Sequence, residues 1–200
     1  YTRGSIYAAQ TFTGTPDGRR IQIGWGRIAH SGMPFNGMML LPTELTLRTT
    51  KDGPRLFSVP IEETEQLFTT VGKWTSLTSG RANEILKEFY GADCLRIKTT
   101  IKLSHATSAG FNLFGQRIVD YDMNSNLVNG TFYSPEDMIS MEICADIYID
   151  RTSIAVFIDG GAYSYSMERH PDRTNTEGFH FWGHDIDIGE LEVFGVKSVW

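Results

Sequence analysis

Along most of this chain apolar and polar residues alternate instead of recurring every three or four positions, and a two-residue period belongs to the β-strand. The clearest run sets Leu95, Ile97, Thr99, Ile101 and Leu103 on one face against Arg96, Lys98, Thr100 and Lys102 on the other. It predicts a strand with one buried face and one polar face turned to solvent. A second run opposes Met141, Ile143, Ala145, Ile147 and Ile149 to Glu142, Cys144, Asp146 and Tyr148. Its second face is mixed, so partial cover is expected there. One segment has helical spacing: Ile85, Leu86 and Phe89 within Arg81 to Tyr90 read as a helix or as a loop leading into a strand.

Turn formers divide these runs at short intervals: Thr15-Pro16-Asp17-Gly18, Lys51-Asp52-Gly53-Pro54, Asn124-Ser125-Asn126, Asp159-Gly160-Gly161 and His170-Pro171-Asp172. Many short strands joined in this way predict an all-β fold of sandwich, barrel or propeller type. Four candidate strands, Ile6 to Thr13, Arg20 to Trp25, Glu44 to Arg48 and Arg55 to Val59, precede an acidic stretch, Ile61-Glu62-Glu63-Thr64-Glu65-Gln66, that reads as a junction. A four-stranded sheet has two faces to cover, and the segment from Ile28 to Gly37 offers little to cover them. Residues 1–60 therefore read as a piece of a larger assembly, residues 61–66 as a linker, and residues 67–200 as a second unit.

Composition narrows the class. The 200 residues are 40% hydrophobic and 21% charged, with 18 Lys plus Arg against 24 Asp plus Glu, a net charge of -6. Lacking a basic run to neutralise phosphates, the chain is not expected to bind nucleic acid. No apolar stretch approaches the roughly 20 residues needed to span a bilayer, and the first residues lack the pattern of a secretion signal, so no membrane span is expected. Cys94 and Cys144 lie in separate apolar segments; without a framework of spaced cysteines they read as a reduced, buried pair, with a bridge between them as the alternative.

The run from Tyr7 to Arg27 (YAAQTFTGTPDGRRIQIGWGR) and that from Gly32 to Glu63 closely resemble the end of the catalytic propeller in glycoside hydrolase family 32, which contains levanases, inulinases and invertases. The run from Ile147 to Gly161 (IYIDRTSIAVFIDGG) resembles that family's sandwich motif I-x-V-D-R-S-S-V-E-V-F-V-N-D-G. The run from Leu191 to Trp200 (LEVFGVKSVW) resembles its terminus L-x-V-Y-x-L-K-S-I-W, while the middle, from about Phe68 to Ile143, diverges. The resemblance implies a last-blade remnant of a five-bladed propeller over residues 1–60 and a C-terminal β-sandwich of two antiparallel sheets over residues 67–200.

Family members hydrolyse fructosyl linkages with retention, which takes two carboxyl groups about 5 to 5.5 Å apart, one ionised and one protonated. The family carries them in W-M-N-D-P-N-G, R-D-P and E-C-P motifs, and this sequence contains none of these. Its Pro16-Asp17, Pro135-Glu136 and Pro171-Asp172 have the reverse order and read as turn formers, and Glu142-Ile143-Cys144 is interrupted. No catalytic residue is assigned, and the chain is expected to be inactive alone. The implied partners are the N-terminal propeller of the same enzyme and, through it, a fructan or sucrose-type carbohydrate; the sandwich is expected to brace the propeller or to join subunits of a homo-oligomer. No cofactor is implied, and a polysaccharide-degrading parent implies an extracellular or periplasmic setting. Two departures stand out: Ala155 occupies the motif's glutamate position, and Asp159-Gly160-Gly161 replaces its Asn-Asp-Gly turn.

Candidate site residues follow. Tyr7 and Trp25 match positions near the mouth of the family's pocket, where a ring can stack on a fructosyl face; the alternative is that they fill the core between blades. Trp74, Tyr163 and Trp182, taken as exposed aromatics, are candidates for a sugar platform in a fructan-binding module. His180, His184, Asp185 and Asp187 could hold a metal, but on a strand and turn they do not share a face at helical pitch, so none is assigned. Asp150 and Arg151 are expected to form a buried or half-buried charge pair of structural use. Asn129-Gly130-Thr131 fits a glycosylation triplet and is given no function.

Overall fold

The computed structural model describes residues 2–15, 17–29, 34–51, 53–132, 141–170 and 177–197. Pro16, Asp52, Pro135-Glu136, Pro171-Asp172 and the last three residues of the terminal motif lie outside the described residues.

The chain opens with β1 (Thr2–Gly4) and continues into a small antiparallel sheet of β2 (Ile6–Thr11), β3 (Ile21–Gly26), β4 (Met38–Met39), β5 (Thr43–Thr50) and β6 (Gly53–Pro60). Its order is β2-β3-β5-β6, with β4 also on β3. The four strands expected from the sequence are all present, displaced by a few residues at their ends. The acidic junction winds into a 3-10 turn, Glu62–Leu67. Arg19 fastens that turn to the small sheet: its guanidinium donates to Glu63 at 2.7 and 3.1 Å and to Glu44 at 2.9 Å.

The rest is a two-sheet sandwich. It runs through β7 (Phe68–Thr78), α1 (Ser79–Leu86), β8 (Leu95–Lys102), β9 (Ser108–Leu113), β10 (Gln116–Asp122), β11 (Leu127–Val128) and β12 (Thr131–Phe132). It ends with β13 (Glu142–Ile149), β14 (Ser153–Ile158), β15 (Tyr163–Glu168), β16 (Phe179–Gly183) and β17 (Asp187–Val196). One sheet has the order β1-β15-β14-β13-β8-β17-β7 and the other β12-β11-β10-β9-β16. The expected all-β architecture is present, with one difference: β1 pairs with β15 in parallel, so the larger sheet is not purely antiparallel.

Alternation builds the core. Leu95, Ile97, Ile101 and Leu103 are all buried, as are Ile143, Ala145, Ile147 and Ile149 beside them. The facing sheet contributes Phe111, Leu113, Ile118, Val119, Phe179 and Phe181. The helical reading of the 81–90 segment is the correct one. Thr78 caps α1 by accepting from the Arg81 amide at 3.2 Å, and Ala82, Ile85 and Leu86 pack inward. The Asn83 amide then mimics a strand against the edge of β16, accepting from Phe181 N at 2.7 Å and donating to Phe181 O at 3.0 Å.

One expectation is overturned. Arg96 does not face solvent; its side chain is 2% exposed. The junction turn, distant in sequence, folds over that face and brings Glu65 to it, while Phe68, Tyr148 and Phe194 surround the guanidinium at 4.7 to 5.2 Å from their ring centres.

Candidate functional site

The seam between the small sheet and the sandwich is built from side-chain size. In β15 the sequence Tyr163-Ser164-Tyr165-Ser166 sends two tyrosines into the sandwich core and two serines to the outer face. In β14 the outer positions are Ser153, Ala155 and Phe157. This outer surface is therefore mostly shallow, and the small sheet lies against it through Ile6, Gln22, Gly24 and Thr43. Gln22 and Thr43 are 5% and 7% exposed, buried although polar. Two gaps remain in the seam: one of about 20 Å³, near the size of a single water molecule, and one of about 420 Å³ between the Met38 to Pro42 segment and Tyr148, Ser153 and Ala155. Ala155 lines both, so the position that carries glutamate in the family motif does face the small sheet, and here the contact is made without a charge.

At one end of the seam the turn between β14 and β15 presses on β6. Gly161 has φ +88°, and a Cβ there would lie 2.2 Å from the Ser58 carbonyl oxygen. Asp159, at φ +47°, accepts from the Cys144 amide at 2.9 Å, and burial pushes its carboxyl up to about 6.

The other side of the small sheet is open among the described residues. Tyr7 and Trp25 are cross-strand partners, with ring centres 6.0 Å apart, and Met39 is paired with Trp25 on the next strand. The three are 55%, 42% and 57% exposed. The structure thus brings Tyr7 and Trp25 together on a face that is largely exposed among the described residues, with Gly37 against the Trp25 indole and the Arg27 guanidinium 5.1 Å from the centre of the Tyr7 ring.

The other sequence-derived candidates do not converge. Tyr163 is 5% exposed and belongs to the core, which corrects its reading as an exposed platform ring. Trp74 is half-buried against the core beside Leu191. Trp182 belongs to the opposite sheet, half-buried, with the Arg117 guanidinium 4.9 Å from its ring centre. Asp150 and Arg151 do not form the expected half-buried side-chain pair. The Asp150 carboxylate accepts from the Arg151 backbone amide at 2.7 Å and from Cys94 Sγ at 3.1 Å, while the Arg151 side chain is exposed and faces Asp93 at 3.5 Å. Both cysteines are free, and Cys144 is exposed rather than buried. Burial and the neighbouring Asp150 push the Cys94 thiol up to about 11. His184 is an exposed partner of Asp185 at 2.9 Å, whereas His180 lies near Glu177 at 3.7 Å. Among the described residues no three His, Cys, Asp or Glu side chains gather as metal ligands would.

Sequence reasoning missed the acids between junction and sandwich. Glu65, Asp146 and Glu190 line a cleft of about 310 Å³. Each is committed to a cation: Glu65 and Asp146 share Arg96, and Glu190 pairs with Lys73. The hydrogen bond from Arg96 holds the Glu65 carboxyl below its usual range. On Arg96 the two carboxylates outweigh burial and hold the guanidinium protonated. These carboxylates serve as counter-ions to buried or bridging cations. The signal available was the acidic run Glu62 to Glu65, whose partner lay 31 residues on.

No family model matches the chain. It is 26% identical to a levanase of Bacillus sp. (strain L7) over 97% of its own length and 24% of that protein's. It is also 26% identical to a sucrose-6-phosphate hydrolase of Escherichia coli, over 92% of its length and 40% of the relative. The exo-inulinase of Aspergillus awamori superposes on 98% of the chain with a TM-score of 0.67, at 14% identity and over 44% of that enzyme. The chain matches the C-terminal portion of glycoside hydrolase family 32 enzymes. It spans less than half the length of these relatives.

Proposed function

We propose that this chain is the non-catalytic C-terminal part of a fructan-hydrolysing glycoside hydrolase of levanase or inulinase type, residues 1–60 being its last blade, and that the sandwich braces the propeller. The observation that carries this reading is the two-sidedness of the blade. One face is closed onto the sandwich through the shallow surface of β14 and β15. The other leaves Tyr7, Trp25 and Met39 side by side and exposed among the described residues, as a sheet awaiting a neighbouring blade would. In the assembled propeller Tyr7 and Trp25 lie beside the sugar pocket or between blades. The absence from the sequence of the three carboxylate motifs, and the commitment of Glu65, Asp146 and Glu190 to cations, support the lack of activity.

The test is an assay of the purified chain on levan, inulin and sucrose. No turnover is expected; turnover that survives rigorous purification would overturn the reading. Bracing is tested on the whole enzyme with and without residues 67–200. A lower melting temperature without them is expected, and an unchanged one would remove the bracing role.

A further inference from the structure

The backbone crosses from the sandwich to the blade and back. Residues 2–4 run beside β15 in parallel, with Thr2 opposite Ser164, Arg3 opposite Tyr165 and Gly4 opposite Ser166. The Ser5 amide then donates to Ser166 O at 2.8 Å, and the Ser5 carbonyl accepts from the Arg27 amide, also at 2.8 Å, just past the end of β3. Ser5 is therefore bonded to the sandwich through its N–H and to the blade through its C=O. The contact is tight: Gly4 has φ +86°, and a Cβ there would lie 2.0 Å from the Ser166 carbonyl oxygen. On the far side of the blade the junction returns the chain to the sandwich, where Arg96 holds Glu65 and Lys197 N donates to Leu67 O at 2.7 Å.

We infer that the edge of β15 is a docking slot for the extended segment Thr2–Ser5, and that this segment is a clasp by which the sandwich grips the blade at its N-terminal side as the junction does at its C-terminal side. Recognition is by main-chain hydrogen bonds, as in strand addition to a sheet edge. Two consequences follow. Blade and sandwich unfold together, because neither end of the blade is a free linker. A sandwich cut at residue 67 is also not self-sufficient, since it bares the main-chain groups along one edge of β15, a template for pairing with another chain. The clasp deepens the bracing role proposed above, but it is tested on this chain alone, so its failure leaves the whole-enzyme test standing.

The experiment compares residues 1–200 with residues 6–200 by hydrogen exchange, and Gly4→Ala with Gly18→Ala in the full chain. Gly18 also has positive φ, +72°, but among the described residues no atom lies within 4 Å of the added Cβ, so it reports the backbone strain without the clash. Removing residues 1–5 is expected to speed exchange of the β15 amides that face β1 at least tenfold, and to separate blade and sandwich unfolding into two transitions. Gly4→Ala is expected to reproduce the loss of protection, and Gly18→Ala is not. Unchanged exchange in β15 after the deletion would overturn the inference. If the shortened chain fails to fold, the glycine pair decides: equal exchange in the two variants rejects the clasp.

Discussion

Arg96 and Glu65 meet through two parallel hydrogen bonds, Nη1 to Oε2 at 2.7 Å and Nη2 to Oε1 at 2.8 Å, while Nε and Nη2 of the same guanidinium donate to Asp146 at 2.8 Å each. The planar fork thus ties the junction turn to β13 within an aromatic surround. Arg96→Met keeps the stem and removes both pairs, leaving the partly buried Asp146 carboxylate uncompensated. A loss of about 3 kcal/mol is expected by chemical denaturation. Arg96→Lys should recover little of it, because an ammonium cannot serve both carboxylates in one plane. Glu65 is half exposed, so Glu65→Gln should cost about 1 kcal/mol or less. Because the folded protein holds the Glu65 carboxyl below its ordinary 4.5, its contribution is complete above that pH and is lost as pH falls further. The difference between wild type and Glu65→Gln should therefore shrink on acidification below about pH 4.5.

Asp159 acts in the opposite direction. Burial raises its carboxyl from 3.8 to about 6, so between those values the folded chain binds more protons than the unfolded one. Stability contributed by this residue is present at low pH and declines as pH rises through that window. Asp159→Asn keeps an oxygen for the Cys144 amide and tolerates the positive φ. It should stabilise the chain at pH 7 and be nearly neutral at pH 4. Denaturant midpoints at the two pH values check this, and a stabilisation equal at both would contradict the buried-charge account.

The sandwich core was legible because its strands obey a strict two-residue period: every apolar position named on β8 and β13 from 95 to 103 and from 143 to 149 is buried. What covers the opposite face was not legible. Arg96 and Lys98 sit two residues apart on one polar face, yet only Arg96 is buried, because the junction turn and three aromatic rings from distant segments close over it. Tyr163 misled for a related reason. In Tyr-Ser-Tyr-Ser either face of the strand could have been the core, and the blade's need for a shallow surface decided it. The Asp150-Arg151 pairing failed because both residues lie in the tight turn between β13 and β14: the Asp150 amide donates to Ser153 O at 2.9 Å, and its carboxylate is taken by the Arg151 amide and Cys94 Sγ.

The β16 edge depends on Asn83. Its amide accepts from and donates to the Phe181 backbone, replacing the neighbouring strand that this edge lacks. Asn83→Ala leaves both main-chain groups without that partner and should cost about 2 kcal/mol. Thermal denaturation reads the loss, and faster exchange of the Phe181 amide assigns it to the edge. Asn83→Asp should be intermediate, since a carboxylate can still accept from Phe181 N but cannot donate to Phe181 O.

The turn at Gly160 and Gly161 separates backbone strain from contact with the blade. Both residues have positive φ, +60° and +88°, so alanine at either position carries a conformational penalty of about 1 kcal/mol. At Gly160 the added methyl meets only the Arg48 guanidinium, at 3.8 Å. At Gly161 it would strike the Ser58 carbonyl oxygen at 2.2 Å and the Val59 side chain at 2.7 Å, and β6 would have to move away from the sandwich. Gly161→Ala is therefore expected to destabilise by at least about 2 kcal/mol more than Gly160→Ala, within the range measured for overpacked sites. Hydrogen exchange should show the excess loss in β5 and β6 rather than in the sandwich core. Equal destabilisation by the two variants would mean that the blade is not seated on this turn, and the seam between the two sheets would lose one of its anchors.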